Sequence, residues 1–179
     1  GLVEVGNDRL VLHLDCFDRR TGDVRVPVPL ECNKPGSPAN ARRICNSAST
    51  ARGGAIGAST FWDHGHVGAS VTTYQSDYGT VAEDEVTIGM KTTRYALEGQ
   101  VRQLPGWFDS VKARLSHTDY QHTELEGAQA GTVFGNQGQD LRVEARHRPL
   151  AGWQGVVGVQ TESSRFSAVG DEAFAPFSR

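Results

Sequence analysis

From Asp140 to Arg146 the chain alternates charged and apolar residues without a break. Asp140, Arg142, Glu144 and Arg146 share one side; Leu141, Val143 and Ala145 share the other. A period of two is the signature of an extended strand, whose successive side chains point to opposite faces. Arg148-Pro149-Leu150-Ala151-Gly152 then supplies the residues of a tight reversal. The return segment is expected to place Trp153, Val157 and Val159 on one side and Gln154, Gln160 and Glu162 on the other. The unit is a long hairpin with an apolar face and a polar face. A soluble sandwich would turn the apolar face to a core. An outer-membrane barrel would turn it to lipid and the polar face to a lumen. Alternation alone does not separate the two.

The same pattern recurs upstream. Leu2 to Val5 reads as a short strand, followed by a turn at Gly6-Asn7-Asp8. Residues 9–18 form the next strand, with Leu10, Leu12, Leu14 and Cys16 opposite Arg9, His13 and Asp15. A second hairpin covers residues 52–76 and reverses at Trp62-Asp63-His64-Gly65; its outgoing arm, GGAIGAST, is weakly patterned. A third covers residues 87–122 and turns at Leu104-Pro105-Gly106-Trp107. In it Arg94, Glu98, Gln100 and Arg102 oppose Tyr95, Leu97 and Val101, and Lys112, Arg114 and Ser116 oppose Val111, Ala113 and Leu115. The expectation is all-β: an antiparallel up-and-down meander of about eight strands. No sustained three-and-four spacing or cap predicts a helix, and no apolar run approaches the roughly 20 residues of a membrane helix.

Connection lengths favour the barrel. Each hairpin turn is short, whereas residues 19–50, 77–86 and 123–131 read as long polar links, and residues 163–179 as the start of another. Short turns at one end and long loops at the other are the habit of outer-membrane barrels. The better strands reach the roughly 9–11 residues that cross a bilayer at a tilt. Trp62, Trp107, Phe108 and Trp153 cluster at the short turns, where an interfacial girdle would lie. An Arg at the bilayer midplane costs about 2–4 kcal/mol. Arg94, Glu98, Arg102, Arg114, Arg142, Glu144 and Arg146 are therefore expected to face a wet interior. The balance of 18 Lys+Arg against 21 Asp+Glu argues against a nucleic-acid partner.

Several separated strings resemble one family. HTDYQHTELEG at residues 117–127, FGNQGQDLRVEARHRPLAGWQGVVGVQ from Phe134 and FSAVGDEAF from Phe166 are similar to the barrel of TonB-dependent outer-membrane receptors. So are SVTTYQSDYG from Ser70 and TTRYALEGQVR from Thr92; the branch they resemble is that of zinc uptake. The likeness covers roughly residues 52–174. It implies a barrel of about 22 strands with an N-terminal plug, lodged in the bacterial outer membrane. Such receptors actively import scarce ligands, using energy passed through the TonB complex. Residues 1–179 would be one part of that barrel domain, an interior slice without plug or remaining strands. The opening Gly1-Leu2-Val3-Glu4-Val5, strand-like and without a leader, suits such a slice, with a mature secreted domain as the other reading.

The resemblance raises zinc as a transported ligand, with His122, Glu124 and Glu126 as a candidate donor set. Against this, solvated loop residues are the plainer reading. The segment after Tyr78-Gly79 holds Glu83, Asp84 and Glu85 but none of the histidines many of the family carry there. His64 and His66 read as turn residues, His13 as a lumen residue without an acidic cluster, and His147 as interfacial. Cys32 and Cys45 flank a Pro- and Ser-containing loop that a disulfide would close in an oxidising compartment. Cys16 sits among leucines as a small hydrophobe. No G-x-S-x-G, H-E-x-x-H or phosphate-cradling glycine loop points to an enzyme. A soluble ligand-binding β-barrel or sandwich, or a small stand-alone membrane barrel, is the rival to the receptor reading.

Overall fold

The computed structural model describes residues 1–34, 36 and 41–170. Ten strands form: β1 (Leu2–Gly6), β2 (Leu10–Thr21), β3 (Arg25–Leu30), β4 (Ala41–Arg43), β5 (Ser49–Trp62), β6 (Gly65–Gly79), β7 (Val86–Arg102), β8 (Phe108–Glu126), β9 (Gln129–His147) and β10 (Val156–Gly170). Eight of them make one antiparallel meander in the order β1-β2-β5-β6-β7-β8-β9-β10. The sheet is open, with β1 and β10 as its edges; β3 and β4 pair separately in the β2–β5 connection. Among the described residues there is no helix. The all-β, up-and-down expectation holds; closure into a barrel does not occur within this chain.

Cross-strand register carries the alternation across the whole sheet. One row reads Val5, Leu12, Ala58, Ala69, Leu97, Leu115 and Leu141. The adjacent row on the opposite face reads Ser59, Gly68, Glu98, Arg114, Arg142 and Gln160. Among the described residues nothing packs over the first face. Ile56 is 61% exposed, Leu97 47% and Val159 64%. Among the described residues the buried apolar side chains are only Cys45, Ala51 and Ala168. The sheet has two faces and no core.

Strand β5, third in the sheet, is glycine-rich because other groups occupy the space its side chains would need. A Cβ at Gly53 would lie 2.9 Å from the ring of Phe17, and one at Gly57 would lie 3.3 Å from the backbone oxygen of Ala69. The weakly patterned GGAIGAST segment is thus a full strand. Glycine there admits close neighbours rather than breaking the ladder.

Several boundaries differ from expectation. Strands β8 and β9 run on until only residues 127–128 join them, with Gly127 at φ 60 making the turn. Residues 123–131 are therefore mostly strand and not a long polar link. The link at 77–86 shrinks to residues 80–85, and 19–50 contains the β3–β4 hairpin. Polarity misled the reading here: these ends carry polar residues on both faces, so period two is lost while ladder hydrogen bonds continue. Strand β10 likewise extends to Gly170, and residues 171–179 of the expected link lie outside the described residues. Trp153 does not join β10. It bridges to Leu150 within the turn and is 80% exposed.

Candidate functional site

The exposed apolar residues form a strip whose loop-side edge is oblique to the hydrogen bonds. On the loop side the continuous strip ends at Val159 on β10, Leu141 and Leu115 on β9 and β8, then Tyr95, Val71, Ile56 and Leu14. Val159 lies in register with Val143, Ala113, Gly99, Val67, Thr60 and Leu10, so this edge has climbed four residues by Leu14. On the turn side Val157, Val101 and Trp62 share one row of the apolar face, and the last residue of that face on β2, Leu10, lies two residues above it. That edge is level from β10 to β5 and climbs two residues at β2, so the obliquity belongs to the loop-side edge. Four residues of roughly 3.4 Å over six spacings of about 4.8 Å give an angle of roughly 25° between the loop-side edge and the hydrogen-bond direction. From Ile56 to Trp62 the strip is roughly 20 Å deep along the strand.

Past the loop-side edge the same face turns polar. Arg52, Gln75, Lys91 and Gln121 occupy one row there. Tyr95 sits at the change, its ring lining both an apolar groove of about 670 Å³ below and a polar groove of about 560 Å³ above. The apolar groove includes Val5, Leu12, Ile56, Leu97 and Leu115.

The opposite face carries the expected charges, and they pair. Glu98 accepts from Lys112 Nζ at 3.1 Å and from Arg114 Nε, its directly opposite neighbour. Arg142 donates to Glu144 at 2.6 Å and to Gln160 at 3.3 Å. Arg94 donates to Ser116 Oγ at 2.9 Å and Thr118 Oγ1 at 3.2 Å. His13, read as lacking acidic neighbours, lies between Glu4 (3.0 Å) and Asp15 (2.7 Å). The β1–β2 register sets Glu4 opposite His13, a pairing nine residues apart in sequence that alternation on one strand does not reveal. His66 lies 3.8 Å from Glu98 and beside the ring of Phe61. His147, at the end of β9, has Nδ1 2.7 Å from the Arg148 carbonyl.

At the loop end, the charged face gives way to aromatic residues. His122 stacks on Phe134 with ring centroids 4.5 Å apart, and Phe134 meets Phe166 at 6.3 Å. Tyr120 Oη lies 3.0 Å from His122 Nδ1, leaving Nε2 as the histidine's other ligand atom. Glu124 and Glu126 follow on β8 opposite Ile88 and Val86. Among the described residues, the set of three potential metal-ligating side chains whose donor atoms gather within 4.8 Å is Cys32, Cys45 and Asp84. His122, Glu124 and Glu126 are not so gathered. Cys32 and Cys45 form the expected disulfide, so their sulfurs are occupied with each other; Cys16 is free and exposed on the strip's face.

Asn46, which the sequence reading passed over, anchors the disulfide-closed loop. It is 4% exposed with φ 55, and its Nδ2 lies within reach of the carbonyls of Thr80 (3.0 Å), Glu83 (2.9 Å) and Val86 (2.6 Å). The backbone N–H of Asn33 donates to Asp84 at 2.7 Å, a second tie between the same loops. Asparagine is among the few residues at ease with positive φ, which is the only signal the sequence offered.

Among the described residues no helix is long and apolar enough to cross a membrane, which says nothing of crossing by strands. The chain matches no protein-family model.

Proposed function

We propose that this chain is part of the wall of an outer-membrane β-barrel, belonging to a TonB-dependent active transporter for a metal ion or metal complex, with zinc as the cargo to test first. The observation that carries the membrane part is the apolar strip with its oblique loop-side edge. A flat bilayer meeting tilted strands must mark them with a band oblique to the hydrogen bonds. The loop-side edge of the band leans by roughly 25°, against about 35–45° for strands in closed barrels. Its depth of roughly 20 Å compares with about 25 Å for the apolar band of outer-membrane barrels. On this reading the paired charges of Glu98, Arg114 and Arg142 line a watery interior.

Transport, metal cargo and the TonB complex rest on the resemblance of the sequence strings. The loop-end donors His122, Glu124 and Glu126 supply the chemistry such a cargo needs. The test is partitioning. The chain is expected to float with phosphatidylcholine vesicles and to need detergent in their absence; a cooperative melt in buffer alone would overturn the membrane reading.

A second reading draws on one feature, the 670 Å³ groove on the apolar face. A soluble protein would use such a groove to hold an elongated apolar ligand. It would stay in the aqueous phase and bind a fatty acid there.

A further inference from the structure

The polar groove beside Tyr95 crosses β7 to β10 immediately past the loop-side edge of the apolar strip. Its ends carry Lys91 and Arg165, both exposed. Among the described residues neither forms an ion pair. The acid within the groove is already engaged: Asp119 accepts from Gln137 Nε2 at 3.0 Å and lies 3.1 Å from His117 Nε2. The floor is held open at Gly135, where a Cβ would come within 2.8 Å of Ser167 Oγ. Thr93, Gln121, Gln137 and Ser167 add neutral donors and acceptors between the two cations. Three strand spacings, roughly 14 Å, separate the strands of Lys91 and Arg165, so a single phosphate does not serve both.

From this placement we infer that the groove binds the headgroup of a doubly phosphorylated glycolipid, with one phosphate at Lys91 and the other at Arg165. Sugar hydroxyls meet Thr93, Gln121, Gln137 and Ser167. The acyl chains run down over Tyr95 onto Leu97 and Leu115. This rests on the membrane reading above, because only a lipid whose tails lie along the strip has its headgroup at this level. Charge complementarity and continuity with the strip select an anionic amphiphile over a soluble anion.

The test uses the chain folded in neutral detergent micelles, with a diphosphorylated glycolipid, its dephosphorylated form and inorganic phosphate as probes. The phosphorylated lipid is expected to bind, to bind roughly ten-fold or more weakly to the K91E/R165E variant, and to weaken with added salt. The dephosphorylated lipid should bind poorly, and inorganic phosphate should not compete at equal phosphate concentration. The single variants K91E and R165E should each show part of the loss, and R102E on the opposite face none. Equal binding of the two lipids, or indifference to both charge reversals, would overturn the inference. Flotation with neutral phosphatidylcholine vesicles separates the two failures. A chain that floats yet ignores the phosphates sinks only the headgroup site, whereas one that does not float sinks the membrane reading and this inference with it.

Discussion

Tyr95 and His117 face each other directly across β7 and β8, their rings stacked at 6.4 Å and 29°. One row toward the turns, the opposed pair is Leu97 and Leu115; one row toward the loops, it is Thr93 and Asp119. The solvent preferred by this face changes within three successive pairs. Aromatic rings with a polar tip are favoured where hydrocarbon meets water, and on the membrane reading proposed above that level is the Tyr95–His117 stack.

Position along the strip should therefore decide what a new charge costs. Leu97→Arg is expected to destabilise the vesicle-inserted chain by about 2–4 kcal/mol, whereas Gln75→Arg past the edge should cost about 0–1 kcal/mol. Urea unfolding in phosphatidylcholine vesicles measures both. Equal costs would argue that both positions meet the same solvent.

The Glu98–Arg114 pair faces the other way. The Glu98 side chain is 37% exposed, so solvent screens the attraction. A double-mutant cycle with Glu98→Gln and Arg114→Gln should give a coupling of about 0.5–1 kcal/mol that shrinks with salt. A coupling indifferent to salt would mean the pair is far drier than its exposure indicates.

Reducing the Cys32–Cys45 bond should loosen one loop and leave the sheet intact. In the chain-entropy account a loop closed over 13 residues gains roughly 3 kcal/mol. Asn46→Ala, which removes the contacts to three carbonyls, should act on the same region. Limited proteolysis is expected to nick residues 31–45 after either change, while amide exchange in β6 to β9 stays slow. Loss of protection in those strands would show that the loop supports the sheet.

For the metal, His122→Ala is expected to weaken zinc binding ten-fold or more if Nε2 is a ligand. Glu124→Gln should act in the same direction. Isothermal titration of the folded chain reads the change, and unaltered affinity for both variants removes this end of β8 from the cargo path.

Period two was legible wherever one face was apolar, as at Leu141-Arg142-Val143, because burial or lipid contact imposes the alternation. It was illegible at the loop ends, where Thr123, Glu124 and Glu126 stand among residues polar on both faces and only backbone hydrogen bonds hold the strand. The disulfide was legible because two cysteines flanked one loop. Partners set by register, such as Glu4 for His13 or Phe134 for His122, were not, since they depend on which strand lies alongside and in what offset. Trp153 looked like a strand residue by parity, but the turn before β10 is longer than Pro149 and Gly152 suggested.

Strand β5 lacks side chains at Gly53, Gly54 and Gly57, and its neighbours take up the room: Phe17 over Gly53, the Asp15 carbonyl at Gly54 and the Ala69 carbonyl at Gly57. A valine at Gly57 would press on the Ala69 carbonyl and the Ser70 side chain, each 3.3 Å from a Cβ placed there. How closely β2 and β6 lie against β5 is thus set by three missing side chains.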